Sequence, residues 1–322
     1  MVPDQETTAE EGADGMPPAP VEIVRVPTER RNSGTHDIDL LPTIDILREI
    51  NAEDTTVPKA VSAALPELAR AVELGVATLR GGGRVHYFGA GTSGRIATMD
   101  AAELPPTFGI DPDRIVAHHA GGEATLDHAL EGIEDDFALG HADASALGRG
   151  DLAVGITASG RTPYVAGALH RAREADARSV LVTANPAAPL AANADVHVEV
   201  DTGAEVIAGS TRMKAGTAQK LVLNAFSTAV MVRLGYTYSN LMVGVNATNA
   251  KLRGRVVTIL TEASGLSEDV CAEALASAGG DTRVALVALL AGVDTDRAAA
   301  EVAASAGQVR EALRRIGTHR PA

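Results

Sequence analysis

Aromatic side chains are scarce: the 322 residues hold no tryptophan, four tyrosines and four phenylalanines. That leaves little from which to build the stacking platforms that hold single-stranded nucleic acid. Cys271 is the single cysteine, which excludes an internal disulfide framework and fits a reducing compartment. No apolar run of about 20 residues is free of charge, so no spanning helix is expected. No basic start leads into an apolar run, so no signal peptide is expected either, and the cytoplasm is the expected location. Positive charge is also short. The net charge of −14 argues against nucleic acid or an anionic membrane as partner. The triphosphate loop G-x-x-x-x-G-K-[ST] and the zinc motif H-E-x-x-H are both missing. His118 and His119 are adjacent on a strand and should point to opposite faces, so no metal is expected.

What is present is 45% hydrophobic, rich in alanine and valine, and long enough for one large core and a small one. Residues 1–34 read as a disordered tail; the first 20 hold five acids, four prolines and no base. Residues 35–80 read as N-terminal helices, with Val61, Leu65, Leu68, Val72 and Val76 at helical spacing from Pro58 to Leu79. From residue 81 to 247 strand and helix signals alternate. Strands are expected at 85–88, 114–118, 152–157, 179–183 and 196–200, with helices around 94–103, 124–137, 163–175 and 187–193. This pattern predicts a doubly wound five-stranded parallel sheet of flavodoxin-like order 2-1-3-4-5. A long helix follows, ending at Leu234. Residues 248–322 read as a small helical domain, with helices at 266–276, 280–292 and 294–316.

Chemistry concentrates in the turn after the first strand, Gly89-Ala90-Gly91-Thr92-Ser93-Gly94-Arg95. A helix start behind a glycine and hydroxyl loop presents free N–H groups, which suit a phosphate. The turn also matches G-x-G-x-x-G, but the acid that a dinucleotide needs about 20 positions on is misplaced. Asp111 and Asp113 precede the next strand instead of following it, so NAD is not expected. A turn that merely needs its glycines is the bland alternative for this loop alone. The third strand runs into an echo of it, Ala158-Ser159-Gly160-Arg161-Thr162. In the order 2-1-3-4-5 the two loops would face each other across one crevice, which favours a ligand. Candidate phosphate groups are Thr92, Ser93, Thr157, Ser159 and Thr162, with Ser210, Thr211 and Lys214 as further walls. Three carboxylates stand out: Glu103, Glu134 and Glu205, the last as a further substrate-binding candidate. With a helix stopped by Pro105 and Pro106, Glu103 would sit partly buried at the negative helix end. Both effects would raise its pKa toward neutrality, as a proton shuttle requires. For Glu131, Asp135 and Asp136 a solvated acidic helix end is the simpler reading.

Five stretches closely resemble the N-acetylmuramic acid 6-phosphate etherases: Gly89 to Arg95, Asp100-Ala101-Ala102-Glu103-Leu104-Pro105-Pro106-Thr107, Ala158 to Tyr164, Gly209 to Lys220, and Asn240-Leu241-Met242-Val243. The likeness runs from about Thr28 to the C-terminus, and it extends to sugar-phosphate isomerases and glucokinase regulatory protein. It implies a sugar-isomerase-type domain and proton-transfer chemistry that needs no cofactor. Ser93 and Glu103 lie ten residues, about 15 Å, apart on what reads as one helix, so either that helix breaks early or Glu103 serves a partner's crevice in a homodimer. The implied reaction cleaves the D-lactyl ether of N-acetylmuramic acid 6-phosphate during cell-wall recycling, giving N-acetylglucosamine 6-phosphate and D-lactate. Glu103 matches the family's catalytic acid/base and Glu134 its second active-site carboxylate. The family more often has Ser-Glu-Cys where this chain has Ala102-Glu103-Leu104, a change beside the proton carrier. Two other functions remain open: a non-catalytic sugar-phosphate sensor, and an aldose–ketose isomerase with Glu205 as base.

Overall fold

The structure is a computed structural model that describes residues 26–128, 130, 132–245 and 250–317. Most of the expected tail, the boundary at 247/248 and Glu131 lie outside the described residues. Of the stretch expected as tail, Val26 and Thr28 are buried, and the Thr28 carbonyl accepts the Gly209 N–H at 2.9 Å.

Helices α1 (Thr43–Asp54), α2 (Val57–Ala63) and α3 (Leu65–Arg80) precede the sheet. The alternating part comprises β1 (Val85–Gly89), α4 (Gly91–Phe108), β2 (Ile115–His119), α5 (Phe137–Asp143), β3 (Leu152–Ile156), α6 (Pro163–Glu174), β4 (Arg178–Thr183) and β5 (Val196–Glu199). Then come α7 (Lys214–Leu234) and a small antiparallel ribbon of β6 (Thr237–Tyr238) and β7 (Leu241–Met242). The chain closes with α8 (Ala250–Ser264), α9 (Glu268–Ser277), α10 (Thr282–Ala291), α11 (Thr295–Ala304) and α12 (Val309–Ile316).

The main sheet is five-stranded and all parallel, in the order β2-β1-β3-β4-β5, as the alternation predicts. Central strands of such a sheet are covered on both faces, which is why β1 and β3 are buried along their whole length. Alternate residues go to opposite cores. Tyr87, Val154 and Val182 pack with α2, α3, α4 and α7. Phe88, Ala153 and Leu181 pack with α5 and α6. A separate core joins α8 through α12. No described helix is long and apolar enough to cross a membrane.

Four helix readings need correction. The helix expected from Pro58 to Leu79 is two, broken at Ala64. That expected at 187–193 is a 3-10 turn, Pro189–Asn193. The one expected at 294–316 is interrupted where Ala306 and Gly307 take positive φ. The fourth, 124–137, is mostly loop. Among the described residues it holds only the 3-10 turns Glu123–Thr125 and Ile133–Asp135, because Gly121, Gly122 and Gly132 all take positive φ. Helix α4 differs in the other direction. Pro105 and Pro106 lie inside it, and it continues to Phe108. Buried Leu104 and Phe108 anchor this last turn, and Gly109 at φ 67° closes it with an N–H to the Pro105 carbonyl.

Candidate functional site

The site grows from the carboxyl edge of β1 and β3, where the strand order reverses. Helix α4 begins almost on top of the strand it leaves. A Cβ on Gly94 would lie 2.4 Å from His119 Cδ2 and 2.5 Å from the Gly89 carbonyl oxygen, so only glycine allows this approach. Ala90 caps the helix with no side-chain hydrogen bond, and Gly91 turns the chain at φ 54°. Among the described residues no side chain accepts from the N–H groups that open α4, and they sit at its positive end. Ser93 is buried and Thr92 half-buried in this first turn. Arg95 points away: its guanidinium donates to the carbonyls of Leu126 (2.7 Å) and Thr125 (2.9 Å), fastening the loop after β2. His119 supports the same corner through Gly91, Ala120 and Thr125.

The second loop leaves β3 beside the first, since Gly89 and Ile156 are paired in register. Thr157 is buried, and its hydroxyl contacts those of Thr162 (2.7 Å) and Ser159 (3.4 Å). It also accepts the Gly160 N–H at 3.3 Å. Gly160, at φ 68°, lies against Ala188, where a Cβ would stand 2.3 Å from that residue's own. Asn185, which sequence reasoning missed, donates to the Ser159 carbonyl at 2.8 Å and fixes the loop from the β4 side. Helix α6 then starts at Pro163, again with no side-chain cap. Thr92, Ser93, Thr157, Ser159 and Thr162 thus occupy adjoining loops at one edge, with two uncapped helix starts.

A third wall comes from the stretch before α7. A Cβ on Gly216 would be 3.4 Å from Thr92 Cγ2, which places the first turns of α7 and α4 side by side. Ser210 and Thr211 lie half-buried just ahead of it. Glu205 and Lys214 do other work. Glu205 is fully buried and accepts the Lys214 N–H (2.9 Å) and the Ala215 N–H (3.0 Å), capping a 21-residue helix. Burial pushes its carboxyl up, against the two N–H donors and the Lys214 charge, which pull it down. Lys214 was expected as a point charge for phosphate. Its ammonium is buried and paired with Glu53 of α1 at 2.5 Å. Burial would raise the Glu53 carboxyl, but hydrogen bonds from Lys214 and Asn32 hold it below its ordinary value.

Both expected catalytic carboxylates are exposed. Glu103 lies within α4, not at its end, so the helix terminus and burial invoked for it are absent. Ser93 and Glu103 belong to one unbroken helix, and ten residues of rise separate their backbones by about 15 Å. Glu134 stands on the Ile133–Asp135 turn, and Asp136 beside it caps α5 through the Leu139 N–H at 2.8 Å. Beneath α4 a buried polar chain runs from Tyr87 to Asp100 (3.1 Å) to Ser227 (3.1 Å), tying β1, α4 and α7 together. Burial raises the Asp100 carboxyl there, with the Ser227 and Tyr87 hydroxyls opposing.

Residues 67–173 match the glucokinase regulatory protein N-terminal SIS domain, and residues 133–229 match the SIS domain. Together with the parallel 2-1-3-4-5 sheet and the hydroxyl loops at its switch point, this makes the chain a SIS-domain protein. A solved phosphoheptose isomerase from Francisella tularensis superposes with a TM-score of 0.48 at 19% identity, over 59% of this chain and 98% of that one. Much nearer in sequence is an N-acetylmuramic acid 6-phosphate etherase of Thermobifida fusca (strain YX), 78% identical over 275 residues, 85% of this chain and 90% of that one. The enzyme of the same name from Symbiobacterium thermophilum is 51% identical over 85% of this chain and 91% of its own. The chain belongs to the N-acetylmuramic acid 6-phosphate etherase family.

Proposed function

We propose that this enzyme cleaves the D-lactyl ether of N-acetylmuramic acid 6-phosphate, yielding N-acetylglucosamine 6-phosphate and D-lactate in amino-sugar recycling. The observation that carries the reading is the meeting of two uncapped helix starts and their hydroxyl loops at β1 and β3, in a chain 78% identical to a named etherase. Thr92, Ser93, Thr157, Ser159 and Thr162 hold the phosphate through hydroxyl and backbone donors, with Ser210 and Thr211 closing the third side. Lys214 acts through Glu53, and Glu205 through the cap of α7; both position the wall and neither touches the phosphate.

The chemistry is proton transfer at carbon. In the open-chain sugar the aldehyde acidifies the C2 proton. A carboxylate takes that proton, the C2–H electron pair forms the C2–C3 double bond, and lactate leaves C3 with its oxygen. Water then adds at C3 and C2 is reprotonated. Glu103 serves as acid/base and Glu134 as the second carboxylate. Such catalysis contributes about a hundred- to ten-thousand-fold, so orientation by the phosphate must supply much of the remainder.

Glu103 is too far along α4 to meet a phosphate bound at the start of the same helix. It serves the crevice of a second copy in a cytoplasmic homodimer. The exposed stripe of α4 around it, Met99, Ala102 and Pro106, supports this, since 43% exposure of Met99 leaves apolar surface for a partner to cover. We read residues 81–247 as the sugar-phosphate unit and 248–322 as a helical unit; among the described residues, the core that joins α8 through α12 also takes in Val243 and Val245 from the ribbon side.

Incubation of the pure protein with N-acetylmuramic acid 6-phosphate should release D-lactate. Glu103→Gln should keep the substrate-dependent thermal shift and lose lactate release, because an amide cannot carry the proton. A thermal shift without lactate from the wild type would make the protein a sensor. Ketose formed from glucosamine 6-phosphate would make it an isomerase, a reading that the capping role of Glu205 disfavours.

A further inference from the structure

Away from the crevice, α5 and α6 bring together two imidazoles and a carboxylate that the etherase reaction leaves unused. His141 Nε2 lies 2.8 Å from Glu174 Oε2, and His170 Nδ1 lies 3.6 Å from Glu174 Oε1. One donor atom from each residue falls within 4.8 Å of the other two. Around a tetrahedral zinc ion neighbouring donors stand about 3.3–3.5 Å apart, so small side-chain rotations bring these three onto one ion.

The backbone beneath is already set. Gly140 and Gly167 let the two helices touch: a Cβ on Gly140 would lie 1.8 Å from the Tyr164 carbonyl oxygen, and one on Gly167 2.1 Å from that of Phe137. His170 and Glu174 are one turn apart on α6 and share a face. The His170 ring rests edge-on against Phe137, with centroids 5.7 Å apart, which limits its freedom. Side-chain exposures of 38%, 56% and 48% for His141, His170 and Glu174 leave the fourth position open to water. An ion entering here displaces only a surface pair, and such pairs contribute little.

We propose that His141, His170 and Glu174 form a binding site for a divalent transition ion of borderline softness, Zn2+, Co2+ or Ni2+. Two imidazoles and one carboxylate suit these ions better than Mg2+ or Ca2+, which prefer all-oxygen shells. The ion is a clasp. Helix α5 follows directly from the turn bearing Glu134, and α6 follows directly from the Thr157–Thr162 loop. Joining their far ends fastens the segment that carries one candidate carboxylate to the helix that carries the hydroxyls.

Tag-free, EDTA-dialysed full-length protein should bind one Co2+ per chain, with the visible bands of a four-coordinate N/O site. At saturating Zn2+ its Tm should rise by about 5 °C. His141→Ala, at a half-buried position, and His170→Ala, at an exposed one, should lose the bands and the Tm rise. Absence of stoichiometric Co2+ in the wild type would overturn the proposal. So would bands that persist in both variants, which would move the ion elsewhere. These readouts do not depend on lactate release, so failure of the etherase reading would leave them intact.

Discussion

The proposed shared site can be tested by giving each subunit one defect. Ser93 and Glu103 are held about 15 Å apart along an unbroken α4, which argues against one substrate meeting both within a chain. Glu103→Ala removes the acid/base but leaves the phosphate loops whole. Ser159→Asp leaves Glu103 whole but sets a carboxylate against the phosphate, in place of a hydroxyl that belongs to the Thr157 and Thr162 cluster. Each variant alone should be dead. After chain exchange from equal amounts, half the dimers are mixed, and each mixed dimer carries one site with both groups intact. Lactate release should return to about a quarter of the wild-type rate. A mass tag on one variant counts the mixed dimers independently. If they form in the expected proportion and release nothing, the site lies within one chain, and the straight-helix argument is wrong.

Glu205→Gln leaves one acceptor for the two N–H groups that Glu205 now receives. The urea midpoint should fall by an amount equal to about 1–3 kcal/mol while KM stays within about twofold; intact stability with a ruined KM would put Glu205 on the substrate. Gly94→Ala drives a methyl into His119 and the Gly89 carbonyl and should cost about 1–3 kcal/mol, read by thermal unfolding. His86 is buried beside His118, and burial, then the His118 charge, lowers its pKa to about 4. The unfolded chain therefore takes up a proton near pH 6.5 that the folded chain refuses until about pH 4, so stability falls with pH across that window. The loss reaches about 3 kcal/mol from this residue, and His86→Phe should flatten the dependence of Tm on pH between those limits.

The sheet was legible because its strands are apolar runs broken by glycine, so their edges differ from expectation by a residue or so. The hydroxyl loops were legible because their chemistry is local: each lies within a few residues of a strand end. What failed depended on neighbours. Pro105 and Pro106 stop an isolated helix, yet burial of Leu104 and Phe108 carries α4 past them. Glu205 and Lys214 read as ligands because a sequence cannot reveal that each partner, a helix start and Glu53, is already in reach. The same blindness hid His141 from His170 and Glu174, which only the packing of α5 on α6 brings together. Residues 124–137 misled through their alanines and leucines, where the flanking glycines decide the backbone.

The paired prolines in α4 have an effect on water. Neither Pro105 nor Pro106 owns an N–H, so the carbonyls of Ala101 and Ala102, one turn back, lack their α-helical donors. These two oxygens immediately precede Glu103 in the chain. They form a small electronegative lip midway along the helix, able to hold ordered water or a sugar hydroxyl next to the carboxylate. The hydration step proposed at carbon needs a water molecule kept close and oriented, and these two carbonyls would be acceptors for it if Glu103 is the acid/base.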